Sequence, residues 1–196
     1  MNQNCHNNGF CCNLQEDFRN RLCKACFRLS LKPKQELLFD HSTKQVAIIN
    51  EGVVISLFLL EDGRQKSAEL LKAGDLLGAY SLFQENNSQT GYMLSLTNVG
   101  LCMFPAEVFE TFFQQSPEFS KTVLRSLSDR FHKSLNHLLQ MQISNSEDKI
   151  RYVLDFLKEA GIDPSYLTHE DLALLSDLNR VTVTRAIKVI NQLHKQ

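Results

Sequence analysis

The chain reads as an α+β protein in which a small β-roll, a long helix and a C-terminal helix-turn-helix follow one another. Three observations predict this order. Between residues 37 and 104 the sequence is a series of short β-rich runs separated by turns, the pattern of a small barrel or roll. From Pro117 to about Met141 the apolar residues step by three and four, which is helical spacing. Residues 167–188 carry the caps and the tight turn of two short helices set against each other.

The β region is punctuated clearly. Val46-Ala47-Ile48-Ile49 leads to the turn Asn50-Glu51-Gly52, and residues 53–60 form the next apolar run. That run ends at Glu61-Asp62-Gly63, and Asp-Gly between two β-rich runs signals a hairpin. Residues 67–71 then reach the turn Ala73-Gly74-Asp75. Residues 93–97 and 100–104 are expected to form a last strand pair before Pro105. Ahead of the roll, residues 1–12 are Asn-rich and polar apart from cysteines, and read as a flexible arm. A helix is expected over residues 14–29, with Leu14, Phe18, Leu22, Ala25, Cys26 and Leu29 inward.

Helices return at residues 106–115 and then in the long element. There Leu124, Leu127, Phe131, Leu135 and Leu138 form a coiled-coil-like seam, which suggests a dimer axis. His132 and His137 share this helix and are expected in solvent. Ser144-Asn145-Ser146 breaks it, a further helix is expected over residues 149–158, and Gly161-Ile162-Asp163-Pro164 makes a turn.

In the helix pair, Thr168 and Asp171 have capping-box spacing. Leu172, Leu175 and Leu178 are apolar, and Ala173 is small enough to let helices cross closely. The turn falls at Asp177, a residue type that tolerates left-handed backbone. Asn179 caps the second helix, whose Val183, Ala186, Ile187 and Ile190 point inward. Asn179, Arg180, Val181, Thr182, Thr184, Arg185 and Lys188 remain to face the major groove.

Bulk properties set limits. The 196 residues carry a net charge of −1, so any basic footprint is local. After Leu178 the chain holds Arg180, Arg185, Lys188, His194 and Lys195 with no carboxylate. There is no apolar run of membrane-spanning length and no signal-peptide pattern, so a cytoplasmic protein without a membrane partner is expected. No nucleophile–base set or phosphate loop suggests an enzyme. Six cysteines in a reducing compartment point to metal or redox chemistry rather than structural disulfides.

In this order the chain resembles the CRP/FNR superfamily of bacterial transcription factors along almost its whole length. The matching pieces are residues 31–39 entering the roll, Glu61-Asp62-Gly63-Arg64, Ala73-Gly74-Asp75-Leu76-Leu77-Gly78, and Val181-Thr182-Val183-Thr184-Arg185. The resemblance implies a cysteine-rich arm and helix (1–29), a cyclic-nucleotide-binding-like roll (30–116), a dimerisation helix (117–143) and a helix-turn-helix domain (144–196). It implies a homodimer on palindromic double-stranded DNA, acting with RNA polymerase. Two features depart from the family. Gly78 is followed by Ala79 where cyclic-nucleotide binders carry glutamate, and Ser88-Gln89-Thr90 lacks their arginine, so cyclic AMP is not the expected effector. The helix-turn-helix also lacks most of the β-hairpin wing with which the family continues, because the sequence stops at Gln196.

The cysteines resemble those of the oxygen-sensing FNR branch. Cys102-Met103-Phe104-Pro105 matches its Cys-x-x-Pro ligand, and Cys5 and Cys11 match the spacing of its last two arm ligands. Asn2 stands where the first arm ligand is expected, and Cys12 is available to replace it. Cys5, Cys11, Cys12 and Cys102 are therefore candidate ligands of a [4Fe–4S] cluster. A thiol–disulfide switch, zinc or no role are the competing readings. Cys23 and Cys26 are read as packing residues. The function expected is oxygen- or redox-responsive transcriptional regulation. The alternatives are a regulator binding a small organic effector in the roll and an interaction protein that does not bind DNA.

Overall fold

The computed structural model describes residues 9–38, 45–83 and 91–193. Eight strands make two four-stranded antiparallel sheets: β1 (Phe27–Leu31), β2 (Glu36–Leu37), β3 (Gln45–Glu51), β4 (Val53–Leu59), β5 (Gln65–Lys72), β6 (Leu76–Leu77), β7 (Gly91–Ser95) and β8 (Val99–Pro105). One sheet has the order β1-β8-β3-β6, the other β2-β7-β4-β5. Ala47, Ile49, Val54, Leu71, Leu77, Met93, Leu101 and Met103 fill the space between them. The Asp-Gly hairpin forms as expected. β4 pairs β5 from Val53↔Lys72 to Leu59↔Gln65, and Gly63 closes the turn at φ 80° with its N–H on the Leu60 carbonyl, 2.9 Å away.

Two expectations change here. Residues 93–97 and 100–104 do not pair with each other. β7 joins β2 and β4, while β8 joins β1 and β3. The short link between them crosses from one sheet to the other, so Met93 and Met103 face each other across the core. The N-terminal helix α1 spans only Glu16–Ala25, and Cys26 leaves it with extended backbone. Residues 27–31 instead complete the edge of β8, from Phe27↔Met103 to Leu31↔Val99. The ladder bonds to β8 outweigh a helical stripe that would have continued to Leu29.

The helical face of the first sheet is also buried. Val46, Ile48, Leu76, Cys102 and Phe104 pack on Phe10, Leu22, Phe109, Phe119 and Val123. This is why β3 and β8 are apolar on both faces. The end of the arm is docked here rather than loose. Residues 9–13 make a single 3-10 turn, and Phe10 is 2% exposed, edge-on to Phe119. Its N–H reaches the Gly74 carbonyl at 3.0 Å. Gly9 has φ +61°, and a Cβ there would lie 2.4 Å from Gly74 Cα, so only glycine fits this approach. Residues 1–8 of the predicted arm lie outside the described residues.

The remaining helices are α2 (Ala106–Gln115), α3 (Pro117–Ile143), α4 (Ser146–Glu159), α5 (His169–Ser176) and α6 (Arg180–Leu193). Ser116 caps α3, with Pro117 in its first turn. Asn145 caps α4 by accepting from the Asp148 N–H at 2.9 Å. The tripeptide expected only to break the helix thus also starts the next one, at Ser146. Helices α4–α6 share one core with the outer face of β4 and β5. Val53, Ile55, Leu57 and Leu70 pack among Ile150, Val153, Leu157, Leu175 and Val183.

Candidate nucleic-acid interface and thiol site

The helix-turn-helix is built as its sequence prescribes. Thr168 and Asp171 close a capping box, with the Asp171 carboxylate 2.9 Å from the Thr168 N–H. Asp177 takes the left-handed turn at φ 54° and holds the Lys66 ammonium from the β4–β5 hairpin. Asn179 Oδ1 accepts from the Thr182 N–H at 2.9 Å and binds the Thr182 hydroxyl at 3.0 Å. Leu172, Leu175, Val183, Ala186 and Ile190 are buried. Arg180, Val181, Arg185 and Lys188 are exposed.

Not every candidate reader is free to read. Thr184 is partly buried. Its hydroxyl is 3.0 Å from the Arg180 carbonyl and 2.8 Å from His169 Nδ1, so it ties α6 to α5. Asn179 serves mainly as a cap. Arg180 lies 3.1 Å from Glu170, a screened surface pair that DNA phosphates can displace. The sequence singles out no role for His169, whose only signal is its place in the first turn after Thr168. His194 and Lys195 lie outside the described residues.

On α3 the expected seam divides. Leu124, Phe131, Leu135 and Leu138 are 60%, 65%, 46% and 42% exposed, and Leu139 extends the stripe. Leu127 is partly buried against the Phe119 cluster. The opposite side of α3 carries a polar network against the roll. Arg130 Nε and Nη2 each donate to Glu69 at 2.6 Å, Arg130 Nη1 donates to the Leu76 carbonyl at 2.8 Å, and the Ser134 hydroxyl donates to Glu69 at 2.6 Å. Further along, His137 Nε2 is 2.6 Å from the Ser67 hydroxyl. His137 is 1% exposed, contrary to the expectation that it faces solvent. Helical position alone does not reveal that β5 covers this side. Burial lowers its pKa to about 4 despite the carboxylates of Glu69 and Asp177. Nearby, Gly78 turns at φ 74° and Ala79 is fully buried. Ser88-Gln89-Thr90 lies outside the described residues.

The thiols meet at the junction of α1 and β8. Cys102 is 6% exposed. Its pKa is driven upward, first by a hydrogen bond with Cys26 and then by burial, so it is held as a thiol. Cys26 Sγ also donates to the Cys23 carbonyl at 3.3 Å. Cys11 borders the same cluster, whereas Cys12 is exposed. Cys5 lies outside the described residues. Among the described residues no three His, Cys, Asp or Glu side chains gather as metal ligands. Among the described residues, Cys102 is buried beside Cys26 and Cys12 is exposed. Cys26, read from sequence as packing, is the partner the fold gives to Cys102.

Comparison with known proteins agrees with this architecture. Residues 28–116 match the family model of the cyclic nucleotide-binding domain. The global nitrogen regulator of Nostoc is 25% identical over 167 residues, covering 78% of this chain and 75% of its own. Among solved structures, the c-di-GMP responsive global regulator CLP of Xanthomonas campestris superposes with a TM-score of 0.70 at 17% identity, covering 91% of this chain and 92% of that one. FixK2 from Bradyrhizobium japonicum gives 0.69 at 18% identity, covering 87% and 85%. Two of these proteins are named as global regulators, and no helix among the described residues is long and apolar enough to cross a membrane. A cyclic nucleotide-binding domain over residues 28–116, followed by a long helix and a C-terminal helix pair, gives the chain the fold it shares with CLP and FixK2.

Proposed function

We propose that the protein is a homodimeric DNA-binding regulator whose hold on DNA responds to the redox state of thiols beside the roll. The exposed apolar stripe of α3 supports the dimer, because contiguous apolar surface of this kind marks an interface. The exposed Arg180, Val181, Arg185 and Lys188 support DNA recognition by α6. Cyclic AMP is not its effector. Ala79 supplies no carboxylate, and Glu69 already engages the Arg130 guanidinium.

The contact between Cys26 and Cys102 carries the redox reading. Oxidation by a peroxide proceeds in two steps. One thiol forms a sulfenic acid with loss of water, and the other then displaces a second water to form the S–S bond. Two electrons and two protons leave the thiols. The bond would lock the end of α1 to β8, under which Phe119 and Val123 of α3 pack. The test is fluorescence anisotropy on a DNA site obtained by selection, with peroxide and then dithiothreitol, alongside peptide mapping of the disulfide. Wild type is expected to change affinity reversibly. Cys26→Ser and Cys102→Ser are expected not to respond, and Cys23→Ser is expected to respond as wild type. An unchanged peroxide response in Cys102→Ser would remove the thiol switch.

A further inference from the structure

We propose that the surface facing the DNA backbone continues from the helix-turn-helix onto the roll, where Lys34, seated beside the first turn of α5, supplies a phosphate contact. The inference rests on the recognition of DNA by α6 proposed above.

Residues 32–35 make the turn between β1 and β2, and the turn is fixed from inside. Ser95 is fully buried, and its hydroxyl lies 2.6 Å from the Lys32 carbonyl and accepts from the Gln35 N–H at 3.0 Å. The Lys34 N–H donates to the Ser95 carbonyl at 2.7 Å, and the Lys32 N–H donates to Gln35 Oε1 at 2.6 Å. Between these bonds Lys34 is held at φ 69°, a left-handed conformation that disfavours a residue with a Cβ. Glycine would take it without strain. The backbone therefore gives no reason for lysine at this position, and strain of this kind gathers where a side chain has work to do.

The Lys34 side chain points to the helix-turn-helix. Its ammonium lies 3.5 Å from the Asp171 carboxylate, with the lysine side chain 66% exposed and the aspartate 14%. Asp171 is already engaged by the Thr168 N–H in the capping box, so its hold on the exposed ammonium is weak. Glu170 and Asp171 stand next to each other in the first turn of α5. The first helix of a helix-turn-helix crosses the DNA backbone, where two uncompensated carboxylates would repel phosphates. Each stands beside a cation. Arg180 of the recognition helix is 3.1 Å from Glu170, and Lys34 of the roll flanks Asp171. Arg180, Glu170, Asp171 and Lys34 thus form one charged strip from the reading helix to the roll. Lys32, exposed and without an ion pair among the described residues, extends it.

The roll is fixed where Lys34 is useful. Lys66 holds Asp177, Lys72 holds Glu159, and β4 and β5 share a core with α4–α6. Lys34 therefore keeps its place relative to α6, and its phosphate contact exists only while the roll stays docked.

The test is fluorescence anisotropy of the full chain over a series of salt concentrations, on the duplex obtained by selection and on an unrelated duplex. Lys34→Gln is expected to weaken binding to both by the same factor, about tenfold, and to lower the slope of log K against log salt by about 1 per protomer. Lys34→Arg keeps the charge and should bind as wild type. Lys34→Gly removes the charge and relieves the left-handed backbone. It should bind as weakly as Lys34→Gln, with circular dichroism showing an intact fold. An unchanged slope in Lys34→Gln overturns the proposal. So does a loss confined to the selected duplex, which would make Lys34 a reader of bases. A wild type that selects no duplex at all would instead overturn DNA recognition by α6.

Discussion

Arg130 of the long helix holds Glu69 of β5 by two parallel hydrogen bonds, each 2.6 Å long. Both side chains are about nine-tenths buried, at 12% and 9% exposure. The third contact, from Arg130 to the Leu76 carbonyl, and the Ser134 hydroxyl on Glu69 complete the network. The roll and the long helix are therefore joined by a desolvated ion pair as well as by apolar packing.

Breaking this pair from one side should be costly. Arg130→Met leaves the Glu69 carboxylate buried with only Ser134, and is expected to lower stability by about 3–5 kcal/mol. Arg130→Met with Glu69→Met should recover much of that loss, since neither charge is then stranded. Urea unfolding of the single and double variants measures both. A double variant no more stable than the single one would contradict this account.

His137 makes stability depend on pH. Its folded pKa is lowered to about 4 from the ordinary histidine value of 6.5, so between these values the unfolded chain binds the proton and the folded chain resists it. Its contribution is complete above pH 6.5 and is lost as pH falls toward 4. The loss is on the order of 3 kcal/mol. His137→Gln should flatten this part of the profile relative to wild type. The comparison is needed because carboxylates also titrate at the lower end.

The seam on α3 should govern assembly. Phe131→Glu with Leu135→Glu places two carboxylates on the exposed stripe, where dimerisation would desolvate them without partners. Sedimentation is expected to show monomers for this variant and dimers for wild type. Leu127→Glu differs in kind. Because Leu127 packs inside the protomer, it should lower stability as well as perturb assembly.

Recognition should run through the exposed first turns of α6. A bidentate arginine–guanine contact is worth about 1–3 kcal/mol, so Arg185→Ala should lose discrimination of that order at one half-site position. Val181, 59% exposed, has no acceptor for cytosine N4 but can pack on a thymine methyl. Site selection is expected to return T·A opposite Val181, and Val181→Glu should shift the preference to C·G. A G·C pair for wild type would refute the Val181 reading.

What the sequence determined by itself was local. Thr168, Asp171, Asp177 and Asn179 act within a few residues of themselves, so their caps and turn could be read directly. The Asp62-Gly63 hairpin and the length of α3 are of the same kind. Tertiary structure alone decided what lies across from each element. Residues 27–31 became a strand because β8 had an edge to fill. Residues 93–97 and 100–104 parted because each buries its apolar face from a different sheet. His137 became a buried base, and Cys26 the neighbour of Cys102, because β5 and β8 come from distant parts of the chain. Periodicity states which residues share a face of a helix or strand. It does not state what covers that face, and burial, pKa and pairing all follow from the covering element.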